Sequence, residues 1–197
     1  MNLPNRISLF RLVLIPIIVL VKVFPYAQLG ITVPVFYISY VSLPLTNVII
    51  LILFATASFS DFLDGYLARK NNQVTTFGKF IDPIADKCLT TTLFIMLAAD
   101  NVIPVVPVLV MVWRDVVVDG VRMIASGKGV VMSAGILGKI KTASQMFCII
   151  FLLLNNIPFE LLNIPMAEIL LWFSTIISAV GGVDYYLQVK NLIWESK

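Results

Sequence analysis

Apolar positions recur in runs too long for the core elements of a soluble domain. They extend from Ile7 to Val23, Asn47 to Leu67, Phe80 to Ala99, Val102 to Ala125, Gly135 to Leu154 and Met166 to Gln188. Most reach the ~20 residues that a helix needs to cross a bilayer. The pattern predicts an all-α integral membrane protein with six transmembrane helices, organised as a single domain over residues 1–197. Asn5, just after Pro4, is the expected N-cap of the first helix. The segment Phe24–Thr46 is apolar too, but Pro25, Pro34 and Pro44 interrupt it. Each proline removes a backbone donor from a helix, so this segment is expected as an external loop or an interfacial stretch. A seventh crossing there would put the two termini on opposite sides. The first apolar run is long and lacks a small-residue cleavage site, so it is expected as a span rather than a signal peptide.

Composition agrees with that pattern. The hydrophobic fraction is 59 % and the charged fraction only 13 %, about half of what a soluble domain carries. Lysine and arginine orient the spans. Lys22 lies near one edge and Arg114 near mid-membrane, and the other twelve of the fourteen share a side with the N-terminus. Cytoplasmic loops carry the excess of Lys and Arg, so both termini and the 2–3 and 4–5 loops are predicted cytosolic. The chain has no basic tail and no nucleic-acid motif, and a nucleic-acid partner is not expected.

The residue types present limit the chemistry. Histidine is absent, which removes the commonest general base and the commonest transition-metal ligand. Cys88 and Cys148 stand far apart in apolar runs and are expected to be buried small hydrophobes. Acid–base work falls to Asp, Glu, Lys, Tyr or Cys. Any metal site must be built from carboxylates, which suit hard cations such as Mg²⁺ or Mn²⁺.

Eight of the eleven acidic residues fall on the cytosolic half, and four of them concentrate at one place. Asp61 and Asp64 lie at i, i+3 near the cytosolic end of the second span, and Asp82 and Asp86 at i, i+4 at the start of the third. Each pair faces one side of its helix. The short stretch from Arg69 to Lys79 makes the two helix ends antiparallel neighbours, so the four carboxylates can converge just inside the membrane. Ionised groups there are costly unless paired or functional. Arg69, Lys79 and Lys87 would balance part of the charge, and a salt-bridged helix-end cluster is the plainer reading. Two divalent cations would balance it fully, and two metals ~3.5–4 Å apart also clamp a phosphoryl group for in-line displacement. Gly65, Ala68 and Gly78 lie among the carboxylates, small enough to let a bulky ligand approach the backbone.

The stretch Asp61-Phe-Leu-Asp64-Gly65-Tyr-Leu-Ala68-Arg69, eight further residues, and Gly78-Lys-Phe-Ile-Asp82-Pro-Ile-Ala-Asp86 resembles the signature of CDP-alcohol phosphatidyltransferases, D-x2-D-G-x2-A-R-x8-G-x3-D-x3-D. All eight fixed positions and every spacing match. The resemblance implies six transmembrane helices, a site facing the cytosol, a place in the cell membrane and a homodimer. It implies that Asp61, Asp64, Asp82 and Asp86 hold two divalent cations, Mg²⁺ or Mn²⁺, and that Asp86 is the general base. It further implies that Asp61, Asp64, Gly65, Ala68, Arg69, Gly78 and Asp82 bind the CDP group of a CDP-linked lipid, Arg69 through a phosphate.

The signature leaves the acceptor alcohol open. Arg114 and Arg122 stand eight residues apart on the fourth span, about 12 Å along its axis. Lys139 and Lys141 lie at the cytosolic end of the fifth. Together they would line a pocket for an acceptor phosphate. The plainer readings are self-compensation by Asp115 and Asp119 on the same span, with Asp119 three residues before Arg122, and interfacial anchoring by the two lysines. Gly138-Lys139-Ile140-Lys141-Thr142-Ala143-Ser144-Gln145-Met146 resembles the GKxKTxxQM element of the branch of the family that accepts glycerol 3-phosphate. Leu3-Pro4-Asn5-Arg6-Ile7-Ser8-Leu9-Phe10-Arg11 resembles that branch's opening element, with Ser8 where threonine is usual. Trp113-Arg114-Asp115 through Asp119-Gly120-Val121-Arg122 is similar to a third element, with Asp115 where glutamate is common and Asp119 where a small hydroxyl residue is usual. The resemblance implies phosphatidyl transfer from CDP-diacylglycerol to sn-glycerol 3-phosphate. Another acceptor at the same site, such as an inositol phosphate or serine, and a divalent-cation transporter are the rival readings. The chain shows neither the inverted repeats nor the matched broken helices that transporters often carry.

Overall fold

A computed structural model of the chain describes residues 3–70, 76–130 and 135–194, with side chains for 7–60, 81–130, 135–188 and 190. The order of elements is α1 (Leu3–Val23), β1 (Val35–Ile38), β2 (Val41–Pro44), α2 (Leu45–Lys70), α3 (Thr76–Ala99), α4 (Val105–Gly127), α5 (Ile136–Leu153) and α6 (Met166–Trp194). Each apolar run of the sequence becomes one of these helices. Helices long and apolar enough to cross a membrane, among the described residues, are Ile136–Leu153 and Met166–Gln188. The described part of α2, Leu45–Ser60, is a shorter apolar helix.

Several boundaries differ from expectation. α1 begins at Leu3, so Asn5 lies inside its first turn and does not cap it. Pro4 explains the earlier start, because a proline in the first turn forfeits no helical hydrogen bond and its φ is already helical. α2 runs on to Lys70 and α3 starts at Thr76, so Arg69, Gly78 and Lys79 are helical rather than in the connection. Cys148 is buried as expected, but Cys88 is exposed. It sits one turn after the exposed Ile84, on the outward face of α3.

The segment after α1 is not a helix. A turn at Pro25–Gly30 leads into an antiparallel hairpin in which Val35 pairs with Pro44 and Ile38 with Val41. Its two-residue turn places Ser39 at φ 57°, the left-handed backbone that tight hairpin turns require. The hairpin is fastened at two points. The Tyr40 hydroxyl donates to the Glu160 carbonyl and Asn155 Nδ2 donates to the Ser42 carbonyl, both at 2.5 Å.

The chain divides into two compact units, Met1–Met96 with Ile150–Ile164, and Leu97–Ile149 with Pro165–Lys197. In the first, α1 packs along α2 and buries Leu14, Ile18, Ile50, Phe54 and Ala57. In the second, α4 packs along α6. The α4 stripe is Val108, Met111, Val118, Val121 and Ala125, and α6 answers with Ala167, Leu171, Ser174, Ser178, Gly181 and Tyr185. Both have the three-to-four-residue spacing of one helix face. Small residues on α6 bring the two backbones close, as in membrane helix pairs. Polar side chains share this buried interior. Ser8, Arg11, Lys141, Gln145, Ser174 and Ser178 are buried, whereas Trp113, Ile169, Phe173, Ile176 and Val183 are exposed. Ser174 and Thr175 return their hydroxyl protons to the Leu171 carbonyl of their own helix, which satisfies them without water.

Candidate active site

The helix ends of the first unit carry the aspartates. Asp61, Asp64, Gly65, Ala68 and Arg69 lie in the last turns of α2, and Gly78, Asp82 and Asp86 in the first turns of α3. The backbone is helical throughout both stretches, so the i, i+3 and i, i+4 spacings each place a pair of carboxylates on one helix face. The side chains of Asp61, Asp64, Arg69, Lys79 and Ala68 lie outside the described residues. Asp82 and Asp86 are half-buried. Pro83 follows Asp82 within α3 and cannot donate to the carbonyl of Lys79, which interrupts the helical ladder beside the site.

The first helix reaches this place as well. The Ser8 hydroxyl donates to Asp82 Oδ1 at 2.5 Å across 74 positions of sequence. Ser8 is buried, and so is Arg11, one turn further along the same face of α1. A short hydrogen bond from a buried hydroxyl fixes how Asp82 presents its second oxygen, the role that partners of metal-ligating carboxylates play. Among the described residues no three ligating side chains come together, since half of the carboxylate set lies outside them. The donors that are described fit a hard divalent cation: carboxylate oxygens, no histidine, and an oriented Asp82. Ser8→Ala should therefore raise the free Mn²⁺ concentration needed for half-occupancy by roughly tenfold, the worth of a hydrogen bond to a charged group. Electron paramagnetic resonance titration of the purified protein measures it without turnover, and an unchanged titration would show that Ser8 does not orient Asp82.

The second unit gathers the basic residues on α4 and α5 against α6. Lys141 Nζ donates to both oxygens of Asp115 at 2.6 Å, and Arg114 Nη1 donates to Asp115 Oδ1 at 3.0 Å. Asp115 thus holds two of the four cations expected at an acceptor pocket. Arg114 is further fixed by Nε donating to the Ser178 carbonyl at 3.1 Å. Its aliphatic stem lies on a notch in α6, where a Cβ on Gly182 would stand 2.8 Å from Arg114 Cγ and one on Gly181 3.2 Å from Arg114 Nη2. Only glycine allows that approach. Arg122 goes elsewhere. Its Nη2 donates to the Tyr185 hydroxyl at 2.6 Å, and its Cζ lies 4.9 Å from the Tyr185 ring centre. Lys139 is exposed.

Sequence reasoning named the four cations, Asp115 and Ser8. Ser178, Gly181, Gly182 and Tyr185 escaped it. The adjacent glycines inside an apolar helix were the available signal, because glycine weakens a helix interior and persists where another group must come close.

Residues 1–180 match the CDP-alcohol phosphatidyltransferase family. A CDP-diacylglycerol--glycerol-3-phosphate 3-phosphatidyltransferase of Bacillus subtilis is 40 % identical over 195 residues, covering 99 % of this chain and 96 % of that protein. Proteins of the same name from Rickettsia bellii and Wigglesworthia glossinidia brevipalpis are 33 % and 30 % identical, covering 96 % and 94 % of this chain and 96 % and 93 % of their own. With the signature unbroken across the ends of α2 and α3, the chain belongs to the CDP-alcohol phosphatidyltransferase family.

Proposed function

We propose that this enzyme transfers the phosphatidyl group of CDP-diacylglycerol to the free primary hydroxyl of sn-glycerol 3-phosphate, releasing CMP and forming phosphatidylglycerophosphate. The observation that carries the reading is the near full-length likeness to relatives of that name, in a chain whose eight signature positions are all present. In this reading all six helices cross the cell membrane, both termini lie in the cytosol, the site opens to the cytosol, and the enzyme works as a homodimer. The positive-inside distribution of Lys and Arg supports the orientation.

Asp61, Asp64, Asp82 and Asp86 would hold two divalent cations, Mg²⁺ or Mn²⁺, which when bound stabilise negative charge on the diphosphate and on the departing CMP. The protein's own groups do the rest. Gly65, Ala68 and Gly78 leave room for the CDP group along the helix ends, and Arg69 binds one of its phosphates. Arg122 and Lys139 bind the acceptor phosphate. Arg114 and Lys141 flank them in the ion cluster around Asp115, which keeps one net positive charge. Asp86 takes the proton of the primary hydroxyl. The oxygen then bonds to the lipid-side phosphorus as the bond from that phosphorus to the CMP oxygen breaks, and CMP leaves with both electrons of that bond. Acyl chains stay in the bilayer throughout.

The test is CMP release by purified protein with CDP-diacylglycerol and Mg²⁺. The expected result is release that depends on glycerol 3-phosphate and is not supported by serine or inositol phosphate. Release with one of the other alcohols would keep the aspartate chemistry and overturn the acceptor. Absence of release with every acceptor, from folded and metal-loaded protein, would overturn the enzyme.

A further inference from the structure

The cations of the second unit are held in two chemically different ways. Lys141 and Arg114 share a carboxylate, Asp115, and much of their charge is cancelled there. Arg122 is held by a neutral oxygen. The Tyr185 hydroxyl accepts from Arg122 Nη2, and also from the backbone N–H of Gly135 at 3.3 Å. Gly135 directly precedes α5, the helix that carries Lys139 and Lys141. The ring of Tyr185 lies 4.9 Å from Arg122 Cζ and 5.6 Å from Arg114 Cζ, within the range at which an aromatic quadrupole attracts a cation. Tyr185 is only 4 % exposed. One buried side chain on α6 therefore joins α4 and the start of α5.

We propose that Tyr185 is a positioning residue for the acceptor phosphate, setting Arg122 in place through a neutral oxygen. The inference rests on the reading of Arg122 as an acceptor-phosphate ligand and deepens it. A carboxylate at this position would fix the guanidinium equally well, but it would compete with phosphate for the same charge and repel the incoming dianion. A phenol hydroxyl accepts a hydrogen bond without bringing a carboxylate's charge. Arg122 also keeps donor capacity for a ligand. Its Nε is buried and has no hydrogen-bond partner among the described residues, and a buried donor of this kind calls for an acceptor. Arg114, by contrast, has its Nε and one Nη1 hydrogen engaged with Ser178 and Asp115. Asp115 and the α6 notch make Arg114 and Lys141 the frame, and Tyr185 makes Arg122 the hand that meets the phosphate.

Tyr185→Phe removes the hydroxyl and keeps the ring and its packing. The KM for glycerol 3-phosphate should rise roughly tenfold, the usual worth of a hydrogen bond to a charged group. The inhibition constant of inorganic phosphate, measured as a competitor of glycerol 3-phosphate, should rise by a similar factor. The KM for CDP-diacylglycerol should stay within about twofold. Arg122→Gln, assayed in parallel, separates the two levels of the argument. If Arg122→Gln raises both acceptor constants and Tyr185→Phe moves neither, the positioning role is wrong and the acceptor reading stands. If Arg122→Gln moves neither, the acceptor reading itself fails. If Tyr185→Phe lowers kcat, raises both KM values and lowers thermal stability together, Tyr185 is structural and the proposal is overturned.

Discussion

Asp86→Asn should reduce CMP release roughly 100- to 10,000-fold, the span over which a positioned general base contributes. The chain contains no histidine, so a carboxylate is the natural acceptor for the proton of the attacking hydroxyl. Asp86 lies one helical turn beyond Asp82, half-buried in the first half of α3. Asparagine has the same shape and leaves the helix intact, so it removes basicity and charge with little else. Activity and metal binding have to be read together, because Asp86 is assigned both roles. A variant that retains two bound Mn²⁺ and loses turnover places the defect in proton transfer. Turnover close to that of the unmodified protein, with metal still bound, would remove Asp86 from the mechanism as its base.

Asp115→Ala should be the most destabilising of the single changes in the second unit. Lys141 is 6 % exposed and its ammonium contacts both Asp115 oxygens at 2.6 Å. Removing the carboxylate takes both of these contacts from Lys141 and one of Arg114's partners. Breaking one side of such a buried pair costs about 3–5 kcal/mol, because a charge is left without compensation in a low-dielectric site. A lowered unfolding midpoint in detergent measures the loss. Lys141→Met added to Asp115→Ala should recover most of it, since replacing both partners of a buried pair by apolar groups is close to neutral. An Asp115→Ala protein as stable as the parent would mean that the pair carries little net energy. Failure of the double variant to recover would mean instead that the loss comes from the packing of Arg114 on α6.

These expectations differ in how much sequence alone supported them. The aspartate spacing and the apolar runs were legible because they are local. Helical period and span length are written in consecutive residues, and all six helices fall where the apolar runs do. The exclusion of Phe24–Thr46 as a span was also local, since three prolines leave it too few donors for a helix. Helix starts were less legible. Asn5 carries a capping side chain, but Pro4 had already set helical φ one residue earlier, and α1 begins before both. Cys88 shows the same limit on the face of a helix. Composition placed it among apolar residues, and only the packing of α3 decided that its face looks outward.

By itself the sequence determined the family and the spacing of the aspartates along two helices, because residue type and spacing suffice for those. Tertiary structure decided how the charges are shared. Asp115 meets Lys141 across 26 positions, Arg122 meets Tyr185 across 63, and Ser8 meets Asp82 across 74. None of these pairings follows from helical period, which relates only residues three or four apart. They depend on how closely two helices approach and at what register. On α6 that approach is set by the bare backbone of Gly181 and Gly182, which admits the Arg114 side chain where any Cβ would hold it away.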